Sequence, residues 1–344
     1  MTDPRVISPE IPRVMKAVEL TAYGSWESGL RVVEKEVPAP GPGEVLVRMT
    51  AAPINPVDLA FIHGIYGVKK ELPVVPGFEG TGVVVAAGKG MLGRFLHGKR
   101  VACGASDRGD GTWAEYMVTG ARRCVPLSGK TGVEQGATML INPMTASILV
   151  RQVREGKHRA FMQTAAAGAV GRMIASLAER FGIPGIHLVH RAEQVEFLQS
   201  RGVATVLCTR DPDFGEKLGA ACRDLQPTIA FDAVAGDMTE RLLRALPRGG
   251  KVVVYGSLSL KNCRITPGRF IFEKKFLEGF WLVDWIRDTP FRHQLRLALG
   301  LQKFLNSELK TEIRKHVPLA HARDGIAEYV QNMTAGKILL VNDT

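Results

Sequence analysis

Apolar residues recur over residues 14–120 in short alternating runs, at 14–20, 30–37, 44–51, 80–86, 100–103 and 114–118, broken by the turns PAPGPGE, GKGMLG and SDRGDG. Runs of this length with glycine and proline punctuation predict strands. From about residue 141 the period changes. A strand-like run at 159–164 is followed by Val170, Met173, Ile174, Leu177 and Ala178 at three- and four-residue spacing, which predicts a helix closed by Phe181-Gly182. Strands at 186–190, 205–208, 228–232 and 251–255 then alternate with helices at 192–201, 213–225 and 238–246. Such alternation predicts a parallel sheet with helices on both faces. Short strands return at 311–317 and 338–341, and the last is expected to rejoin the first domain. The pattern therefore predicts an α/β chain of two domains, one β-rich and discontinuous, the other a parallel sheet with helices on both faces that begins at about residue 141.

Composition changes this picture little. The 344 residues suit two domains, and 45% hydrophobic content is ample for a core. Cys103, Cys124, Cys208, Cys222 and Cys263 form an odd set without C-x-x-C pairs, which points to neither a disulfide framework nor a structural zinc lobe and fits a reducing cytoplasm. Residues 1–13 hold Asp3, Glu10 and three prolines but no apolar or basic amphipathic run, and read as a disordered leader. No run reaches transmembrane length. The net charge of +11 favours an anionic ligand of some kind. Basic residues are spread out instead of clustering with aromatics, which argues against nucleic acid as the main partner.

Candidate chemistry begins at the strand-turn-helix over 159–182. Gly168, Ala169, Val170 and Gly171 lie in A-x-G-x-x-G spacing with Ala166 in the first position. A turn without side chains lets a pyrophosphate approach the free N–H groups of the helix N-terminus. At the end of the next strand, where an NAD enzyme places an acidic residue for the ribose 2′-OH, stand His190 and Arg191. A cationic end favours a 2′-phosphate, hence NADPH; an ordinary αβ turn of small residues is the alternative. Gly256 and Ser257 follow a strand and would lie at the carboxyl edge of the sheet, where a ligand binds.

The motifs at 54–84 (INPVDLAFIHGIYGVKKELPVVPGFEGTGVV), 111–118 (GTWAEYMV), 141–146 (INPMTA), 165–171 (AAAGAVG), 248–259 (RGGKVVVYGSLS) and 279–285 (GFWLVDW) occur in this order. Together they resemble the zinc-free branch of the medium-chain dehydrogenase/reductase superfamily, the quinone oxidoreductases and 2-enoyl thioester reductases, over residues 14–342. The IHGIYG, INPMTA and GFWLVDW stretches look closest to the mitochondrial-type enoyl reductases, while the length and plain glycine loop also suit bacterial quinone reductases. The resemblance implies a GroES-like, partly open barrel domain of residues 1–140 and 309–344 and a Rossmann, doubly wound parallel-sheet domain of residues 141–308, with the substrate between them. Zinc-dependent relatives place cysteine at Asn55 and histidine at Phe78, and neither residue here can ligate zinc. Asp58 and Glu79 remain as oxygen donors, a poor zinc set, so no metal is expected.

In the resembling families hydride from NADPH reduces an activated C=C of an enone or 2-enoyl thioester, or a quinone. Tyr66, in the loop Gly64-Ile65-Tyr66-Gly67, matches their proton-donor tyrosine; packing on the domain surface is its alternative role. Asn55 matches a contact on the nicotinamide side, although an asparagine before Pro56 also suits a turn. Asn142 and Thr145 open a helix at the domain junction, and Thr145 matches a cofactor contact or caps the helix. Phe280, Trp281 and Leu282 match the segment along the nicotinamide, with core packing as their alternative, and Lys337 would add charge near a phosphate or is a solvated lysine before the last strand. Asp232 is expected to order a loop, and the scattered histidines to serve surface or packing roles. Relatives also imply a homodimer, with 276–283 as the apolar edge strand. The rival readings are a broad-specificity NADPH:quinone reductase without a tyrosine acid, and a non-enzymatic relative that binds cofactor or nucleic acid.

Overall fold

Alternation at the start of the chain produces an antiparallel ribbon, Val14–Leu20 against Leu30–Glu36, in the computed structural model, which describes residues 11–342. The first ten residues of the expected leader lie outside the described residues. Chain contacts divide the protein into one unit of residues 1–141 and 291–344 and another of 142–290.

The first unit is β-rich. Its seven-stranded sheet runs Ile313–Pro318, Lys337–Val341, Glu44–Pro53, Glu79–Ala87, Arg100–Gly104 and Cys124–Pro126, with Tyr116–Gly120 also paired to Glu44–Pro53. Alternation places Val45, Val47 and Met49 on one buried face with Val84, Val101 and Met117. Trp113, Phe61, Tyr329 and Leu20 fill the other principal core of this unit. The strand Lys337–Val341 pairs antiparallel with Glu44–Pro53 and so closes the long excursion of the chain through the second unit.

The second unit is a six-stranded, all-parallel sheet in the order Val206–Cys208, Gly185–Val189, Phe161–Gln163, Ile229–Asp232, Lys251–Val254, Phe276–Gly279. The strand order reverses beside Phe161–Gln163, the position in such sheets where ligands collect at the carboxyl ends. Met162, Ile186, Leu188, Ala230 and Val252 pack under Phe214, Leu218 and Leu242 of the covering helices.

Two expectations are corrected. The second unit ends at Pro290, not at 308, because the helix Phe291–Leu301 leads to Gln302, which is tied to the β-rich unit. Gln302 Oε1 accepts from Ser128 N at 2.8 Å and Thr131 Oγ1 at 3.1 Å, and its Nε2 donates to Pro126 O at 3.0 Å. The edge strand covers Phe276–Gly279 only, and Leu282–Asp288 is helical. Phe280 N makes the last sheet bond, to Val254 O at 2.8 Å, and Trp285 N then bonds back to Trp281 O. A short apolar run cannot by its period say which of the two it is.

Candidate active site

In the second unit the strand Phe161–Gln163 leads through Ala165, at φ 49, into the helix Ala169–Arg180, with Gly168 at its N-cap. Gly171 is fixed by sterics. A Cβ there would lie 2.6 Å from Ala166 Cα and 2.7 Å from two backbone oxygens, so only glycine lets helix and turn approach this closely. Gly168 carries no such clash beyond Ala165 O at 3.1 Å, and its missing side chain leaves the turn open. Gln163, fully buried, holds the helix by donating to Gly171 O at 2.9 Å and to His187 Nδ1 at 2.7 Å. Burial pushes the His187 ring down to about 4, which keeps it the neutral acceptor this contact needs.

His190 and Arg191 follow the next strand, both exposed, with their backbone N–H groups on Gln194 Oε1 at 3.1 and 3.2 Å. Arg191 Nε pairs with Glu193 at 2.8 Å. His190 is held below the usual histidine range by desolvation and by Arg210 and Arg191, and the cation beside it on the neighbouring strand is Arg210. Its Nε donates to His190 Nε2 at 3.0 Å. The sequence reading missed it because it lies one strand away.

Elsewhere in this unit Asn142 and Thr145 sit in the first turn of Asn142–Glu155, both buried, and Asn142 Nδ2 has no partner. Gly256 and Ser257 follow Lys251–Val254 at its carboxyl end. Phe280, Trp281 and Leu282 are half-buried at the start of a helix, not within a strand. Asp232 Oδ1 accepts from Thr164 Oγ1 and from Val234 and Ala235 N at 2.9, 2.9 and 3.2 Å, and so orders the loop after its strand.

In the first unit Tyr66 follows the helix Pro56–Ile62 through Gly64, whose φ is 73. Its ring meets Phe78 edge-on at 5.1 Å, Phe78 meets Phe61 at 5.5 Å, and Phe61 meets Tyr23 at 5.6 Å. Lys70, also missed from sequence, anchors this loop. Its Nζ donates to Ser106 O at 2.8 Å and Gly109 O at 2.7 Å while lying 5.9 Å from the Phe61 and Phe78 rings. Burial lowers Lys70 to about 8.

Beneath this aromatic wall lies a buried polar network. Glu79 accepts from Asn55 Nδ2 at 3.0 Å and from Leu140 and Ile141 N at 2.8 and 3.0 Å. Asp58 accepts from Asn55 N at 2.7 Å and Phe78 N at 3.1 Å, and burial pushes it up to about 7. Asn55 is 1% exposed and its Oδ1 has no partner. Lys337 corrects the phosphate assignment: it is 3% exposed and donates to Ile54 O at 3.3 Å and Tyr329 Oη at 3.1 Å. It faces Asp58 and Glu79, whose charge it stabilises.

Residues 41–129 match the alcohol dehydrogenase GroES-like domain, and residues 169–299 match the model described as zinc-binding dehydrogenase. The chain is 31% identical over 335 residues to the human mitochondrial enoyl-[acyl-carrier-protein] reductase, covering 94% of this chain and 88% of that protein. The chain belongs to the medium-chain dehydrogenase/reductase family. Among solved structures of similar chains, a Mesorhizobium loti protein provisionally assigned as an NADPH:quinone reductase is 34% identical, with TM-score 0.87 over 96% of this chain and 99% of that one. A mycobacterial protein complexed with NADPH is 26% identical, with TM-score 0.80 over 95% and 99% of the two chains. This medium-chain dehydrogenase/reductase is thus an oxidoreductase that uses a nicotinamide cofactor and a small-molecule substrate. Its donor set does not fit the zinc in the second model's description. Phe78 offers no ligand atom, the Asp58 and Glu79 oxygens face N–H donors, and among the described residues no three His, Cys, Asp or Glu converge. No helix among the described residues is long and apolar enough to cross a membrane.

Proposed function

We propose that this chain is an NADPH-dependent reductase that works without zinc and transfers hydride to the activated C=C of a 2-enoyl thioester or enone. The observation that carries this reading is Phe78 edge-on against Tyr66 where zinc-dependent relatives hold a ligand. A phenol beside an apolar wall supplies a proton without a metal. NADPH, when bound, supplies the hydride. Tyr66 donates its hydroxyl proton to the charge that builds on the substrate carbonyl oxygen or α-carbon. Asn55 offers its unpartnered Oδ1 to the nicotinamide amide, and Glu79 fixes the other end of that side chain. Gly168, Ala169, Val170 and Gly171 receive the pyrophosphate, with Asn142, Thr145, Gly256 and Ser257 around the cofactor and Phe280, Trp281 and Leu282 along its nicotinamide. Arg191 reads the 2′-phosphate. Replacing Arg191 by Ala is expected to lower kcat/KM for NADPH by roughly 10- to 100-fold and leave that for NADH nearly unchanged. Equal losses with both cofactors would remove Arg191 from the selection.

Quinone reduction by the same cofactor site is the second reading, favoured by the 34% identity to the Mesorhizobium loti protein. It needs no tyrosine acid. We also infer a homodimer. The edge strand Phe276–Gly279 is exposed along all four residues, with Phe276 57% exposed, and an apolar edge left open invites pairing with a second copy. Sedimentation should give a dimer that Phe276→Lys with Leu277→Lys converts to monomer; a wild-type monomer would end this proposal. A reducing compartment, by our reading the cytoplasm, suits five cysteines with no disulfide among them.

A further inference from the structure

The strands Gly185–Val189 and Val206–Cys208 are parallel, with Val189 opposite Cys208, and Thr209 N donates to Val189 O at 2.8 Å. That register carries Thr209 alongside His190 and Arg210 alongside Arg191, at the carboxyl ends of adjacent strands. His190 links them. Its Nε2 accepts from Arg210 Nε at 3.0 Å, so the ring proton sits on Nδ1 and donates to Thr209 Oγ1 at 3.2 Å. The imidazole is therefore a neutral strut that occupies the inner nitrogen of Arg210 and leaves the two terminal nitrogens as an open fork. The acidic residues nearest in sequence do not fill it. Asp211 and Asp213 both pair with Lys217 Nζ, at 3.1 and 3.0 Å. Among the described residues Arg210 has no carboxylate partner, whereas Arg191 has Glu193.

We propose that Arg210 is a second specificity-determining residue of the cofactor site, gripping the adenosine 2′-phosphate of NADPH opposite Arg191, with His190 as the positioning residue that aims it. The proposal rests on the NADPH reading above. A phosphate dianion presents several acceptor oxygens, and a guanidinium fork meets two of them at once. The 2′-OH of NADH offers neither the charge nor the extra oxygens. Division of labour follows from the partners: Arg191 must loosen from Glu193 to reach the phosphate, while Arg210 is already aimed and uncompensated.

Equilibrium binding of 2′,5′-ADP, 5′-AMP, NADPH and NADH to the full chain tests this. Arg210→Ala should weaken 2′,5′-ADP and NADPH by roughly 10- to 100-fold and leave 5′-AMP and NADH unchanged. His190→Phe, which removes the strut but no charge, should move the same two ligands in the same direction by less. Both sites are exposed, and an unchanged melting temperature will confirm that the fold persists. If Arg210→Ala leaves 2′,5′-ADP binding intact while Arg191→Ala still reduces it selectively, the proposal fails and the NADPH reading stands. If the wild-type protein binds 2′,5′-ADP no better than 5′-AMP, the NADPH reading itself fails and the proposal with it.

Discussion

Replacing Tyr66 by Phe is expected to lower kcat for 2-enoyl thioester reduction by about 10²- to 10⁴-fold, the usual worth of a positioned general acid. The substitution removes one oxygen and keeps the ring, so the edge contact with Phe78 at 5.1 Å and the aromatic chain through Phe61 to Tyr23 persist. KM should change little, because the hydroxyl matters most when charge develops on the substrate. Quinone turnover should be unaffected, since a quinone accepts hydride without waiting for protonation at carbon. Steady-state rates with both substrate classes check the point. Equal rates for Tyr66→Phe and wild type with an enoyl thioester would remove the acid assignment; parallel losses with both substrates would mean that Tyr66 shapes the pocket instead of donating a proton.

Replacing Glu79 by Ala is expected to destabilise the β-rich unit by about 3–5 kcal/mol, the cost of breaking a buried ionic arrangement from one side. Three donors lose their acceptor at once: Asn55 Nδ2, Leu140 N and Ile141 N. Lys337, 3% exposed, also loses one of the two carboxylates it faces. For a unit of this size the melting transition should fall by roughly 6–20 °C. Glu79→Gln keeps the side-chain length but brings an N–H₂ toward existing donors, and it should fall between wild type and Ala. Thermal unfolding followed by circular dichroism reads the series. A Glu79→Ala transition within about 1 °C of wild type, which corresponds to well under 1 kcal/mol, would show that the network does not hold this unit together.

Much of the nucleotide-type unit was legible in sequence because its signals are local. The 3.6-residue stripe from Val170 to Ala178, the glycine at Gly171 and the strand rhythm to 255 each lie within one window, and the structure follows them within a residue or two. What escaped was set by pairing across the fold. Arg210 lies 19 residues beyond Arg191 and becomes its neighbour only through the parallel register of two strands. His190, a histidine beside an arginine in sequence, reads as a cation, yet desolvation, with Arg210 across the strand and Arg191 beside it, holds it below the usual histidine range. Lys337 reads as a solvated lysine before a strand, and only the return of that strand to Glu44–Pro53 buries it against the acids around Asn55. Likewise no periodicity says which unit a helix joins. The side chain of Gln302 decides it for the helix Phe291–Leu301.

We propose hydride transfer from NADPH to an activated double bond or quinone without zinc. Its most direct test is the initial rate of NADPH oxidation by the purified protein against 2-enoyl thioesters, enones and quinones, with NADH in parallel and a strong zinc chelator present. Chelator-insensitive turnover is expected with at least one of these acceptors, with a clear preference for NADPH and with enoyl thioesters as the preferred class. No oxidation of NADPH with any of them, or an activity that the chelator abolishes, would contradict it.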